Sequence, residues 1–171
     1  YFSCFRGSLW IINQLIHFGA DMEKETLEGY TPLMFACQLG KDKIINFLLH
    51  KGANVNHTTH SGYHSPINIL ADLGADSTLQ LIITEYKAKV NVKEESFSPL
   101  YFATKKENFS TMKLLIDNGA KMDKKTENLI KERIKNGTSK DPEFIKKFLD
   151  EKEIQDFLSD IDWRDDKSDK L

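Results

Sequence analysis

The sequence predicts an all-α solenoid in which repeated helix pairs stack on one another. The first observation is a repeat, because Pro32, Pro66 and Pro99 are 34 and 33 residues apart and each follows a threonine or serine. Three of the units also close with a Gly-Ala pair, at Gly19-Ala20, Gly52-Ala53 and Gly119-Ala120. A period of about 33 residues indicates units that cannot bury their apolar faces alone, so the fold is predicted to be a stack of them.

The unit around Pro32 contains the signals for both of its helices. Thr31-Pro32 is predicted to begin the first helix, because proline at the first helical position has its φ already set and needs no N–H partner. Gly40 is predicted to end that helix in a left-handed conformation. The second helix carries apolar side chains on one face, at Ile44, Ile45, Leu48 and Leu49. A β-hairpin-like finger is predicted to follow over residues 54–62.

This unit resembles an ankyrin repeat, because its signature residues stand at that family's spacing. They are the Thr31-Pro32-Leu33 start, Ala36, the mid-repeat Gly40, the Leu48-Leu49 pair and the closing run from Gly52 to Asn56. The resemblance implies an ankyrin-repeat solenoid of stacked helix-turn-helix pairs with β-hairpin-like fingers. It covers residues 1–123, in repeats of approximately 1–23, 24–56, 57–91 and 92–123.

The two ends of the chain depart from this pattern. The chain begins inside the first unit, whose Thr-Pro-Leu start is absent, so we expect it to be a fragment of a longer protein. In the fourth unit Glu107 replaces the mid-repeat glycine, which predicts a longer or strained turn. Residues 124–159 are predicted to form C-terminal capping helices, since a solenoid needs a terminal element with a polar outer face. Residues 160–171 are rich in Asp and Lys and are predicted to be a disordered tail.

The composition excludes several classes of partner. The chain has 24 basic and 26 acidic residues, so its balance does not predict nucleic-acid binding. No apolar run approaches the roughly 18 residues that a membrane span needs. Cys4 and Cys37 occupy the same position in consecutive units, about 8–10 Å apart, which is too far for a disulfide. They are predicted to be buried thiols in a reducing compartment, so we expect an intracellular protein, cytoplasmic or nuclear.

No set of residues in the sequence predicts catalysis. His57, His60 and His64 are the one concentration of possible metal ligands, but neither a cysteine nor a run of carboxylates accompanies them as a zinc site requires. The sequence contains no nucleophile elbow, no His-Glu-x-x-His motif and no glycine-rich phosphate loop. We therefore expect no enzyme activity, no catalytic or metal-binding residues, no cofactor and no small-molecule substrate.

Aromatic residues at the start of three units are the strongest candidates for partner binding. Tyr30 and Phe97 stand directly before the Thr/Ser-Pro of their units, and Tyr63 stands one residue further back because His64 is inserted. The resemblance places this position on the finger side of a concave groove, where rings about 10 Å apart form a ridge. Tyrosine and phenylalanine bring a large contact area at small entropic cost, which suits an interface. The alternative is that each ring packs on the neighbouring hairpin as part of the scaffold.

The resemblance adds further contact positions on the fingers and at the ends of the first helices. On the fingers they are Leu27, Glu28, His60, Ser61, Glu94 and Glu95. At the helix ends they are Gln38, Leu39 and Leu73, beside Asp72, Lys105 and Lys106. Together these positions predict a mixed polar and apolar face, of the kind that binds proteins rather than small molecules.

The sequence therefore predicts a protein–protein interaction module that binds another protein through its concave groove and finger tips. Two alternatives stay open. The chain could be the regulatory or targeting ankyrin region of a larger enzyme or channel. It could also be an inhibitor that masks a basic segment of its partner, with which the acidic residues after Asp141 are compatible.

Overall fold

The computed structural model describes residues 8–91 and 97–140, and these residues form eight α-helices. The helices are α1 (Leu9–His17), α2 (Pro32–Gln38), α3 (Asp42–His50), α4 (Pro66–Leu73), α5 (Asp76–Thr84), α6 (Pro99–Lys106), α7 (Phe109–Asp117) and α8 (Lys124–Lys135). No β-strand occurs in the described part of the chain. The predicted all-α fold is thus confirmed.

The helices form two layers. In the inner layer α4 contacts α2 on one side and α6 on the other. In the outer layer α1 contacts α3 and α5 contacts α7, while a hydrogen bond of 2.7 Å from the Thr78 hydroxyl to the Asp42 carboxylate joins α3 to α5. Each inner helix also packs on the outer helix that follows it, and aliphatic side chains such as Leu33, Ile45 and Leu70 are fully buried. Stacked helix pairs are the predicted arrangement.

Each inner helix begins at a proline, as predicted, and a hydroxyl side chain caps it. The hydroxyl oxygens of Thr31, Ser65 and Ser98 accept hydrogen bonds of 3.4, 3.3 and 3.1 Å from the backbone N–H three residues further on. Such a bond satisfies one of the N–H groups that a helix leaves unpaired at its first turn. The Thr/Ser-Pro pairs of the sequence are therefore the start signals of α2, α4 and α6.

Two turns of the stack place a non-glycine residue in the left-handed backbone region. Gly74 ends α4 at φ 69°, and at the equivalent place Glu107 ends α6 at φ 55°. Lys87, which follows α5 where a glycine closes other units, has φ 56°. Side chains disfavour this conformation because Cβ approaches the following carbonyl oxygen. Of the longer or strained turn predicted at Glu107, the structure shows the strained conformation.

The first two fingers are hairpin-like turns. The Thr26 N–H donates to the Tyr30 carbonyl at 3.0 Å, and in the next finger the Thr59 N–H donates to the His64 carbonyl at 2.9 Å. The second turn is one residue longer because it accommodates the inserted His64. Residues 92–96, which belong to the predicted third finger, lie outside the described residues.

The chain divides into two units, Tyr1–Lys131 and Glu132–Leu171. In the first unit the Asp123 carboxylate accepts hydrogen bonds of 2.9 Å from the N–H groups of Lys125 and Thr126, and these bonds cap the start of α8.

Of the second unit the structure describes residues 132–140, in which Gly137 adopts φ 60° after the end of α8. The part of the predicted capping helices that follows residue 140 and the predicted disordered tail, residues 160–171, lie outside the described residues. The predicted domain boundaries and the capping role of residues 124–159 stay predictions.

Candidate functional site

A cavity of about 270 Å³ lies on the inner layer. Its walls come from α2, α4 and α6 and from the fingers before α2 and α4. The lining side chains are Tyr30, Gln38, Tyr63, His64, Ile69, Asp72, Leu73, Phe102, Lys105 and Lys106. We call this site the inner-helix cavity. Four of the predicted partner-binding residues line it: Tyr30, Gln38, Tyr63 and Leu73.

The aromatic rings at the cavity form one continuous cluster. The ring centroids of Tyr63 and Phe97 are 4.7 Å apart, and those of Tyr63 and Phe102 are 4.9 Å apart. The inserted His64 ring lies 4.6 Å from Tyr63 and 5.6 Å from Tyr30. The predicted ridge of rings about 10 Å apart is therefore wrong for Tyr63 and Phe97, since aromatic side chains reach across much of the distance between neighbouring backbones.

Asn68 on α4 fixes the position of two of these aromatic residues. Its side chain is buried, and its amide nitrogen donates to the Tyr63 carbonyl at 3.1 Å and to the Phe97 carbonyl at 2.9 Å. These bonds join consecutive fingers to one inner helix. Because buried polar groups that are paired hold one geometry, Asn68 sets the relative position of the Tyr63 and Phe97 backbones.

Phe97 is surrounded by neighbours and does not line the cavity. Its ring is half-buried and lies 4.8 Å from the Tyr101 ring, and the Lys125 ammonium is 4.0 Å from its centroid. A cation at this distance from an aromatic face is attracted to the ring. These contacts favour the scaffold interpretation for Phe97, whereas Tyr30 and Tyr63 present part of their surface to the cavity.

Lys105 stands beside the Tyr63 ring at the end of α6. Its ammonium donates a hydrogen bond of 3.1 Å to the Tyr63 hydroxyl and lies 5.8 Å from the ring centroid. This hydrogen bond raises the pKa of Lys105 above its ordinary value, so the side chain is charged at neutral pH. The bond orients the ammonium without neutralising it, because the phenol is uncharged.

The other charged groups of the cavity are Lys106 and Asp72. The Lys106 ammonium is 3.6 Å from a carboxylate oxygen of Asp72, a distance longer than a hydrogen bond. Next to them, burial lowers the pKa of His64, the Lys105 charge lowers it further, and Asp72 opposes the change. The imidazole is therefore neutral at neutral pH, and the cavity carries two cations against one anion.

Two histidines of the second finger bind the first finger. His60 Nε2 is 2.8 Å from Glu25 Oε2, and His57 Nε2 is 3.0 Å from the Gly29 carbonyl oxygen and 3.6 Å from Glu25 Oε1. Both rings thus hold the second finger against the first, a contact that was not predicted from the sequence. Among the residues that the structure describes, no three His, Cys, Asp or Glu side chains are grouped to hold a metal ion.

The remaining predicted contact residues differ in exposure. Leu27 is 95% exposed at the tip of the first finger, and Glu28 and Ser61 are also exposed. Leu39 is half-buried. The charge of Glu28 adds to the effect of burial in raising the pKa of Tyr30, so a negative charge lies on the finger side of the cavity. The predicted contacts Glu94 and Glu95 lie outside the described residues.

His64, Ile69 and Phe102 line the cavity although they were not predicted as contacts. Phe102 and Ile69 stand at the repeat position that Phe35 occupies in α2, 33 residues apart from one another. Every inner helix has a bulky residue at this position, and that pattern could have predicted this wall of the cavity. His64 had no such signal, since the insertion has no counterpart in the other units.

Helix pairs stacked in two layers, with a cavity on the inner layer, define a repeat solenoid. Similar chains are numerous among solved structures, where 399 match. One is the crystal structure of the human ASB11 ankyrin repeat domain, with a TM-score of 0.64 and 22% identity over 80% of this chain and 68% of that chain. A family model described as ankyrin repeats (3 copies) matches residues 1–59. None of the curated proteins matches the sequence.

Residues 1–59 thus match ankyrin repeats, and the described helices share the fold of a solved ankyrin repeat domain, which confirms the resemblance of the sequence to that family. Ankyrin repeats are general protein–protein interaction modules, and their fold is not a catalytic one. Among the described helices, none combines the length and the apolar character that crossing a membrane requires. The same stack of helices binds many different partners, so the fold alone does not determine the partner. The residues on the surface do.

Proposed function

We propose that this chain binds another protein, and that the inner-helix cavity is the centre of the contact. The observation that carries the proposal is the cavity itself, about 270 Å³ in volume and walled by aromatic rings with charged groups at its edge. A recess that accepts a partner side chain is typical of the centre of an interface, where a few buried contacts supply most of the affinity.

The chemistry of the cavity supports a protein partner. Tyr30 and Tyr63 offer ring surface with a hydroxyl at one end, and Leu73 is 51% exposed beside them. Gln38 adds a side chain that both donates and accepts hydrogen bonds. Rings, an exposed aliphatic group and a few polar groups are the mixture found at protein interfaces.

The fingers extend the proposed surface beyond the cavity. Leu27, Glu28, His60 and Ser61 are exposed there, and a partner that fills the cavity would contact them next. Glu94, Glu95 and the half-buried Leu39 belong to the same proposal. Phe97 belongs to the proposed surface indirectly, because its ring packs against the Tyr63 ring. We assign the chain no reaction and propose that it acts inside the cell, where Cys37 stays a thiol.

The test blocks the cavity without changing its charge. Gln38→Trp and Leu73→Trp place a bulky ring in the cavity from exposed positions that the core does not need. Asn46→Trp, at an exposed position of the outer helix α3, is the matched control. Affinity capture from lysate, compared by quantitative mass spectrometry, should recover a protein with the parent and the control that both cavity variants lose. Equal recovery by all four proteins would contradict the proposal.

A further inference from the structure

We propose that the inner-helix cavity receives an acidic segment of the partner protein, with a carboxylate at Lys105 and Lys106 and an apolar side chain against the rings. This inference rests on the proposed function, because it names the chemistry of the partner at the same site. It concerns the described residues of α4 and α6 and the finger before α4.

The local charge of the cavity favours an acidic occupant. Lys105 and Lys106 contribute two positive charges to the cavity lining and Asp72 one negative charge, so the lining carries a net charge of about +1. The whole chain has a formal net charge of −2 at pH 7. The part of the cavity at Lys105 and Lys106 is therefore positive, opposite in sign to the whole chain and to the finger side at Glu28, and such a site attracts an acidic group and repels a basic one.

The contacts of the two lysines orient their ammonium groups for an acidic ligand. Lys105 is bonded to the neutral hydroxyl of Tyr63 at 3.1 Å, so its ammonium is positioned while its charge is kept. The Lys106 ammonium lies 3.6 Å from a carboxylate oxygen of Asp72, which is too long for a hydrogen bond, and the Asp72 charge offsets part of the positive field of both lysines. An ammonium has three N–H donors, and a partner carboxylate would accept from Lys106 at the shorter distance of a charge-assisted bond.

Apolar surface lies next to the two lysines in the cavity. The Tyr63 ring and the 51% exposed Leu73 side chain lie in the same cavity as both lysines. A carboxylate alone would leave this apolar surface in water. A segment with an apolar residue close to its Asp or Glu would cover both, so the cavity favours this combination over a chain of acids.

A basic segment is the occupant that this cavity disfavours. It would bring a third cation beside Lys105 and Lys106, with Asp72 as the single carboxylate in the lining to offset it. The hypothesis of an inhibitor that masks a basic segment therefore finds no support at the cavity, although the acidic finger residues could contact basic groups elsewhere.

The experiment selects binders from a random peptide library displayed on phage, with the parent chain as bait. Selected peptides are then titrated by fluorescence anisotropy against three variants. Lys105→Gln/Lys106→Gln removes the positive charges, and Lys43→Gln/Lys113→Gln removes two charges from exposed positions of the outer helices. Leu73→Trp blocks the cavity sterically. Circular dichroism and thermal unfolding confirm that each variant is folded.

We expect the selected peptides to be enriched in an acid next to an apolar residue. Their binding should weaken about tenfold in the Lys105→Gln/Lys106→Gln variant and with rising salt, and should be unchanged in the Lys43→Gln/Lys113→Gln control. Peptides without an acidic preference that Leu73→Trp still excludes would overturn this inference and leave the proposed function standing. Peptides that bind the Leu73→Trp variant as well as the parent, or a selection that enriches none, would overturn both.

Discussion

At the scale of single residues, His64 is the side chain whose surroundings are most particular to this chain. It is inserted into the second finger, and its ring lies between those of Tyr63 and Tyr30. Three influences act on it: burial and the charge of Lys105 on α6 favour the neutral imidazole, while Asp72 on α4 favours the charged form. The balance lowers the pKa, which couples protonation of this ring to the stability of the stack.

We predict that His64 titrates below its ordinary value of 6.5 in the folded protein. Below pH 6.5 the unfolded chain then takes up a proton that the folded chain does not, so this histidine lowers the stability as pH falls from 6.5 to the folded pKa. Above pH 6.5 both states hold a neutral ring and the contribution is constant. Histidine-ring NMR titration measures the pKa, with His64→Gln as the control that assigns the signal. A pKa at or above 6.5 would contradict this.

Cys37 is a residue whose burial suppresses the reactivity of its side chain. The side chain is fully buried in α2, and burial together with the charge of Asp42 raises the pKa of the thiol to about 12. Thiolate is the nucleophilic form, so the folded protein should leave Cys37 unreactive. In a Cys4→Ser background, we predict that a thiol reagent such as a disulfide chromogen labels Cys37 at the rate of unfolding. Labelling in the native state as fast as that of a small-molecule thiol would show that the site is open.

At the scale of elements, the ends of the helices carry strain that can be measured. Lys87, three residues after the end of α5, has φ 56°, in the region that glycine adopts without penalty. Its side chain is exposed and donates to the Thr84 carbonyl at 2.6 Å. The backbone penalty is about 1–2 kcal/mol, and the greater freedom of glycine in the unfolded chain cancels part of the gain from relieving it.

We predict that Lys87→Gly raises the free energy of unfolding by about 0.5–1 kcal/mol. Glu85→Gly is the matched control, because Glu85 ends α5 with an ordinary φ of −86°. This substitution should lower the free energy of unfolding by about 0.5–1 kcal/mol. Urea unfolding of the two variants beside the parent gives both values. Destabilisation of Lys87→Gly by as much as the control would mean that the left-handed turn is not strained.

At the scale of the whole molecule, the features that recur in every repeat were predictable from the sequence. The features that occur only once were not. Pro32, Pro66 and Pro99 begin inner helices because proline at a first helical turn is a local signal that holds in any context. The cavity depends on how rings from different units approach one another, as at Tyr63 and Phe102, and spacing along the chain does not determine that approach. The inserted His64 adds another ring, which contacts both Tyr63 and Tyr30.

The same difference of scale applies to the candidate site. Tyr30, Gln38, Tyr63 and Leu73 were predicted as contacts because the resemblance assigns their repeat positions to the binding face, and all four line the cavity. Phe97 has the same repeat position as Tyr30 but does not line the cavity, and its ring contacts Tyr101 and the Lys125 ammonium. The position of a residue in the repeat predicts that it lies on the binding face. Packing with neighbouring side chains determines whether that residue lines the cavity.

The central claim is that partner contact occurs at the inner-helix cavity. The most direct measurement is site-specific photocrosslinking, with a benzophenone amino acid placed at Leu73 in the cavity or at Asn46 on the outer layer, both exposed. Each protein is irradiated in cell lysate, and its adducts are identified by mass spectrometry. We predict a protein adduct from position 73 that position 46 does not give. The same adducts from both positions, or adducts from position 46 alone, would contradict it.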